Sequence, residues 1–234
     1  MTSIRTPLAS LAAIALAFGS PASAQTSDAP PGGEEPGAER GSPFEFERIP
    51  VPEDDRRGVF IAQVGATNRA EARQSGSNSY ARIIQNGDEN QADVVQDDGS
   101  HHASIAQDGN RNSVNVGQQG QGRSVLMLAQ QGNGNRADVS QTESQAIYSA
   151  AAIGQTGSDN LLSLVQDGSD NQARLVQNGD GNTMTVVQQG SGNRLSWTQD
   201  GNGLSDLQIT QDGGQALQIT QTNGGAPPSG TGGG

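Results

Sequence analysis

The chain lacks cysteine altogether and has few apolar or aromatic residues. Of its 234 residues, 31% are hydrophobic and 3% are aromatic. Without cysteine, neither disulfides nor thiolate metal sites can hold the chain together. A conventional globular core is not expected at this hydrophobic content. If the chain is ordered, its stability has to come from another kind of packing.

Basic residues and histidines are scarce as well. The chain has 13 Lys and Arg against 25 Asp and Glu, a net charge of −12. Nucleic acids and anionic membranes bind basic surfaces, so neither is expected as a partner. The only histidines, His101 and His102, are adjacent and would point to opposite faces of a strand. No catalytic constellation can be assembled, so we predict no enzymatic activity, no metal site and no cofactor.

Only one long hydrophobic run is present, and it lies at the N-terminus. Residues 1–24 predict a secretory signal peptide, with Arg5 near the start, an apolar run over 8–18 and Ala22-Ser23-Ala24 at the cleavage site. That run is shorter than the ~20 residues a membrane-spanning helix needs. The sequence therefore predicts a secreted, cell-surface protein that begins at Gln25 and has no transmembrane segment.

Two further segments have the composition of disordered chain. Residues 25–56 are rich in Pro, Gly and Glu and predict a disordered linker or a secretion-targeting segment. Within them Phe44, Phe46 and Ile49 form an apolar island, which fits a short recognition strand or a locally apolar linker equally well. Residues 223–234 predict a flexible Gly/Pro-rich tail.

Between these segments, over residues 57–222, an internal repeat is present. Glutamine recurs at intervals that are eleven residues in ten of fourteen cases. These glutamines are Gln63, Gln74, Gln85, Gln96, Gln107, Gln118, Gln130, Gln141, Gln155, Gln166, Gln177, Gln188, Gln199, Gln211 and Gln221.

Glycine and asparagine keep fixed distances from these glutamines. Glycine follows two residues later at Gly65, Gly76, Gly87, Gly109, Gly120, Gly132, Gly157, Gly168, Gly179, Gly190, Gly201 and Gly213. Asparagine follows five residues later at Asn68, Asn90, Asn112, Asn135, Asn160, Asn171, Asn182 and Asn193. The unit is Asn-x-h-x-h-x-Gln-x-Gly-x-x, where h is apolar.

The period of two within each unit predicts a β-strand. Asn182, Met184, Val186 and Gln188, for example, would share the inward face of one strand. The Gly- and Asn-rich remainder supplies the positive φ angles of a tight turn. Strand, turn, strand and turn then recur every 22 residues. This predicts an all-β fold, a two-sheet parallel β-solenoid of about 15 strands with layers ~4.8 Å apart.

The inward glutamines and asparagines are predicted to form hydrogen-bonded ladders along the stack. In a solenoid each inward side chain lies above its equivalent in the layer below. An amide side chain suits such a column because it carries both donors and an acceptor. We therefore expect the Gln and Asn residues to be structural ladder positions and the glycines to be turn positions.

The repeat resembles the curlin repeat, Ser-x5-Gln-x-Gly-x-Gly-Asn-x-Ala-x3-Gln. Residues 130–141, QQGNGNRADVSQ, match every fixed position from the first Gln onward. Residues 79–96 match as well, apart from Glu89 at the second Gly position.

The resemblance implies a subunit of curli-type extracellular amyloid fibres, which serve cell adhesion and the biofilm matrix. It also implies partners: further copies of the chain, a nucleator subunit, an outer-membrane secretion pore and periplasmic chaperones. Whether the chain would be the major subunit or a nucleator stays open. The alternative is a monomeric secreted calcium- or ligand-binding β-solenoid, because residues 178–182 form a Gly- and Asp-rich turn. Such solenoids, however, repeat every nine residues around a fixed Asp.

Overall fold

The computed structural model describes residues 46–52, 57–76, 78–143 and 147–223. In these ranges the chain forms fifteen strands and no helix. The strands build two parallel sheets, so the predicted two-sheet β-solenoid is confirmed. The predicted signal peptide, most of the predicted linker and nearly all of the predicted tail lie outside the described residues.

The odd-numbered strands form one sheet, here called sheet A, in the order β1-β3-β5-β7-β9-β11-β13-β15. Their bounds are β1 Gly58–Val64, β3 Tyr80–Asn86, β5 His102–Asp108, β7 Ser124–Gln131, β9 Ser149–Thr156, β11 Gln172–Asn178, β13 Arg194–Asp200 and β15 Ala216–Thr222.

The even-numbered strands form the second sheet, here called sheet B, in the order β14-β12-β10-β8-β6-β4-β2. Their bounds are β2 Arg69–Gln74, β4 Gln91–Asp97, β6 Ser113–Gln119, β8 Arg136–Thr142, β10 Leu161–Ser169, β12 Thr183–Ser191 and β14 Ile209–Asp212.

Each strand pairs in register with the strand one layer away. Gln85 in β3, for example, lies between Gln63 of β1 and Gln107 of β5. A slip of one residue would turn every inward side chain outward, so the alternating sequence specifies this register. As a result, chemically equivalent side chains form straight columns along the axis.

Two apolar columns from each sheet fill the space between the sheets. In β3 they are occupied by Ala81 and Ile83, and in β13 by Leu195 and Trp197, all of which are fully buried. The end layers have a neighbour on one side only. Val59 and Ile61, which continue these columns into β1, remain exposed. The core therefore reaches both ends of the solenoid without a covering element among the described residues.

A short segment before β1 packs on the outer face of sheet A. Ile49 is buried there against Val125, Ala150 and Ala152. Its N–H donates to Gln172 Oε1 at 3.2 Å, and the Tyr148 hydroxyl donates to its carbonyl oxygen at 2.8 Å. The described part of the apolar island, Phe46 and Ile49, is thus a packing segment in the structure, whereas Phe44 lies outside the described residues.

Candidate functional site: amide columns and open ends

The inward glutamines of sheet A form one continuous hydrogen-bonded column. In every layer the Nε2 of one Gln donates to the Oε1 of the Gln in the next layer, from Gln63 to Gln221, at distances between 2.6 and 3.0 Å. The members are Gln63, Gln85, Gln107, Gln130, Gln155, Gln177, Gln199 and Gln221. All the bonds point the same way, so the column is polar.

Sheet B carries the second column, built in the same direction. Its members are Gln74, Gln96, Gln118, Gln141, Gln166, Gln188 and Gln211, with Nε2 to Oε1 distances of 2.6 to 2.8 Å. Twelve of the fifteen glutamines are buried; Gln63, Gln74 and Gln221, all in end layers, are not.

The second hydrogen of each buried Gln amide bonds across to the other sheet. Gln85 Nε2 donates to the Arg69 carbonyl oxygen at 3.1 Å, and Gln107 Nε2 donates to that of Gln91 at 3.0 Å. An unpaired buried donor or acceptor would cost about 1–3 kcal/mol. The columns therefore hold both successive layers and the two sheets together.

The inward asparagines form a ladder in which the backbone of adjacent layers also takes part. The Asn90 N–H donates to Asn68 Oδ1 at 2.9 Å, while Asn90 Nδ2 donates to the Gly109 carbonyl oxygen at 2.7 Å. Each such Asn thus bonds mainly to the backbone of adjacent layers. Direct Asn Nδ2 to Asn Oδ1 bonds, at 2.9 to 3.2 Å, also join four of the six successive Asn pairs.

The asparagine position is occupied unevenly on the two sides. Before the strands of sheet B it holds Asn68, Asn90, Asn112, Asn135, Asn160 and Asn182, and all but Asn68 are buried. At the start of the strands of sheet A, the same position holds Ser79, His101, Ser124 and Ser149 in the earlier layers and Asn171 and Asn193 in the later ones, all of them buried. The two turns of each layer are therefore not equivalent.

His101 stands in an asparagine position as a buried neutral base. Its Nδ1 accepts the Ser124 N–H at 3.2 Å, so the ring proton lies on Nε2, 3.1 Å from the Asp97 carbonyl oxygen. Burial lowers the pKa of His101, although Asp97 and Asp98 nearby partly oppose this. Protonation of His101 at Nδ1 would bring two hydrogen-bond donors, the ring N–H and the Ser124 N–H, face to face.

We expect the His101→Asn variant to resist acid better than the parent. Because the pKa of His101 is lowered in the folded state, the unfolded chain takes up the proton first as the pH falls below 6.5, and stability is lost. Asparagine has no such proton to take up. The measurement is the denaturation midpoint at pH 7.5 and at pH 5. If the denaturation midpoint fell equally in both proteins between pH 7.5 and pH 5, the acid sensitivity would come from groups other than His101.

The turn glycines are required by close stacking of the layers. Gly87 has φ +106, and a Cβ there would lie 2.1 Å from the Gly109 carbonyl oxygen. The turns that lead from sheet A to sheet B hold glycine in every layer: Gly65, Gly87, Gly109, Gly132, Gly157, Gly179 and Gly201. The sequence predicts glycine here for its positive φ, and the close contact with the next layer is a second reason.

The other turn column is less uniform. Its predicted glycines are Gly76, Gly120, Gly168, Gly190 and Gly213. Gly76 has no positive φ, but a Cβ there would lie 2.0 Å from the Asp98 carbonyl oxygen. Around Gly190 and Gly213, near one end, a Cβ would meet nothing closer than 3.4 Å. Close stacking in this column therefore extends from Gly76, in the turn after β2, to Gly168, at the end of β10, and is lost towards the β14 end.

Glu143 is a buried acid that the repeat pattern does not identify. It takes a glycine position in this second turn column, between Gly120 and Gly168. Its carboxylate accepts the Ser149 hydroxyl at 2.7 Å and the Ser169 hydroxyl at 2.6 Å. The one feature of the sequence that could have identified Glu143 is an acidic residue at a position where the repeat has glycine. The Glu143 side chain thus joins Ser149, the first residue of β9, to Ser169, the last residue of β10.

The ends of the two columns differ in chemistry. At the β1 and β2 end, the Oε1 atoms of Gln63 and Gln74 accept no hydrogen bond from the described residues. At the other end, the Nε2 groups of Gln211 and Gln221 donate, within the described residues, only to backbone carbonyl oxygens. One end thus offers side-chain acceptors and the other offers donors, beside edge strands that have no further strand partner among the described residues.

A metal-binding cluster and a membrane-spanning helix are both absent from the part of the chain that the structure describes. There, no three or more His, Asp and Glu side chains are grouped so as to hold a metal ion. Nor do the described ranges hold a helix long and apolar enough to cross a membrane.

Two stretches of the chain match the model of a known protein family. The model of the curlin associated repeat matches residues 76–109 and 168–201. The first match contains β3, β4 and β5, and the second contains β11, β12 and β13. No curated protein sequence and no solved structure matches the chain.

Proposed function

The chain carries the curlin associated repeat, and on that premise we propose that it is a structural, non-enzymatic subunit of an extracellular curli-type amyloid fibre. Solenoids would add end to end, so that each new copy extends both glutamine columns. The fibre would serve cell adhesion and the biofilm matrix.

The polarity and the open ends of the glutamine columns carry this proposal. Donors at one end and acceptors at the other make the ends of two copies complementary, whereas two like ends would not match. Unpaired edge strands are templates for further strands unless another part of the fold covers or blocks them. A stack of similar layers with laddered amides also has the architecture of cross-β fibres.

The flanking segments fit an export route in the same proposal. Residues 1–24 would be removed as a signal peptide, and residues 25–56 would guide passage through an outer-membrane pore with the help of periplasmic chaperones. Residues 57–222 would then form the solenoid, with residues 223–234 as a tail. A nucleator subunit would start fibre growth at the cell surface.

The test is fibre growth of residues 25–234 after dilution from denaturant to micromolar concentration. We expect a lag, then thioflavin T fluorescence and filaments with reflections near ~4.8 and ~10 Å. Preformed filaments should remove the lag. A stable monomer that does not grow, especially one that needs calcium to fold, would overturn the proposal in favour of a ligand-binding solenoid.

Two neighbouring residues of β1 offer a matched pair of variants for this test. Ile61 points inward in the end layer and is 40% exposed, whereas Phe60 points outward and is 48% exposed. We expect Ile61→Asp to slow elongation at least about tenfold, because each new contact would bury a carboxylate between layers. Phe60→Asp adds the same charge outside this contact and should elongate normally. Equal rates for the two variants would contradict growth through this end.

A further inference from the structure

The solenoid has an odd number of strands among the described residues. Sheet A has eight strands and ends at β1 and β15, whereas sheet B has seven and ends at β2 and β14. The end that carries β14 and β15 is therefore stepped by half a layer. This step restricts how a second copy can be added.

Stacking without rotation leaves a gap. If β1 of the next copy pairs with β15, sheet A continues, but β2 of that copy faces β14 at twice the strand spacing, roughly 9.6 Å. Two strand edges would then remain unpaired inside the fibre, and the core would open between them. Buried backbone N–H and C=O groups are nearly always paired in folded proteins, which argues against this arrangement.

A half turn about the long axis removes the gap. Because tight turns join the sheets, strands of sheet A run opposite to strands of sheet B. A rotation of about 180° reverses strand direction and exchanges the sheets, so β1 of the next copy lies parallel on β14 and β2 lies parallel on β15. Every edge strand at the contact is then paired.

The side chains at the contact match in this arrangement. Extending the register places Gln63 of the next copy over Gln211 and Gln74 of the next copy over Gln221. The Nε2 donors of Gln211 and Gln221 would meet the open Oε1 acceptors, so both columns would pass through the contact. Ile209, which continues the apolar columns of sheet B, would lie against Ile61 of the next copy.

We propose that successive copies of this chain stack with a half-turn rotation, so that each sheet of the fibre alternates between blocks of eight and seven strands. This arrangement rests on the proposed function as a fibre subunit. Each copy then adds seven and a half layers, roughly 36 Å of fibre length.

The absence of native cysteine allows a direct test by disulfide formation. The half turn places Ala62 of one copy beside Thr210 of its neighbour, whereas unrotated stacking places Ala62 beside Thr220. All three side chains point outward. Neighbours in register on parallel strands lie ~4.8 Å apart, within the range that a disulfide spans. Fibres are grown from equal mixtures of two single-cysteine variants of residues 25–234 and then oxidised.

We expect the mixture of Ala62→Cys and Thr210→Cys to give at least about tenfold more cross-linked dimer than that of Ala62→Cys and Thr220→Cys. A mixture of Ala62→Cys and Ala106→Cys, which lies inside the stack in β5, controls for lateral contacts between fibres. Fibres that cross-link through Thr220→Cys, or through neither position, would overturn the half turn and leave the proposed function intact. Absence of any fibre would overturn both.

Discussion

The Gln118→Glu variant is expected to lose about 3–5 kcal/mol of folding free energy at neutral pH. Gln118 is fully buried, and its Nε2 donates to Gln141 Oε1 at 2.8 Å and to the His102 carbonyl oxygen at 3.2 Å. A carboxylate has neither donor. It would place a charge against two acceptors in the middle of a column, where burial leaves no water to solvate it.

Gln119→Glu provides the matched control, because Gln119 is the next residue along β6 and points outward into solvent. It changes the net charge equally and should cost less than about 0.5 kcal/mol. Stability is measured by chemical denaturation of freshly diluted monomer, followed by the fluorescence of the buried Trp197. Similar losses in the two variants would show that net charge, and not the column, is responsible.

The pH dependence of Gln118→Glu adds a second check. Burial would raise the pKa of the new carboxyl above that of the unfolded chain, so the folded state would bind a proton more readily. The loss relative to the parent should therefore shrink as the pH falls and grow as it rises towards neutrality. A loss that is constant with pH would mean that the missing donors, and not the charge, destabilise the variant.

The second large effect is expected at Gly109, in the turn column between sheets A and B. Gly109 has φ +121, and an added Cβ would lie 1.9 Å from the Gly132 carbonyl oxygen. Backbone strain and steric overlap each cost about 1–3 kcal/mol, so we expect Gly109→Ala to lose about 2–6 kcal/mol. Relief of the overlap would require neighbouring layers to move apart, which would lengthen the hydrogen bonds around the turn.

Gly117→Ala is the control for this glycine. Gly117 lies on the outer face of β6, has no positive φ, and a Cβ there would meet nothing within 4 Å. The substitution should be neutral or stabilise by up to about 1 kcal/mol, because alanine has less freedom in the unfolded chain. Comparable losses at the two positions would contradict the argument from layer stacking.

Much of this architecture follows from the sequence because the repeat is short and regular. Two apolar residues flanked by Asn and Gln at a period of two specify a strand and its inward face. Turn residues every eleven positions specify where the strand must reverse, and only a stack of such units can bury so few apolar side chains. The all-β class, the two parallel sheets and the number of strands were therefore predictable.

The chemistry of individual positions depended on three-dimensional neighbours. The sequence treats Asn and Gln alike, yet every Gln amide bonds to the next Gln, while the Asn amides bond to the backbone of adjacent layers as well as to one another. Asn90 has a shorter side chain and lies at the turn, where the Gly109 carbonyl oxygen is within reach. Such differences depend on which atoms of other layers come close, and the sequence pattern does not contain them.

The sequence by itself therefore determined the repeating unit, its inward face and the positions of its turns, because these are set by local periodicity. Only the tertiary structure decided the features that join residues far apart in the chain. Ile49 packs on sheet A because β7 and β9 place small apolar residues side by side on its outer face. Glu143 is buried because Ser149 and Ser169 satisfy its carboxylate. The chemistry of the open ends likewise depends on the common direction of hydrogen bonds that run through all the layers.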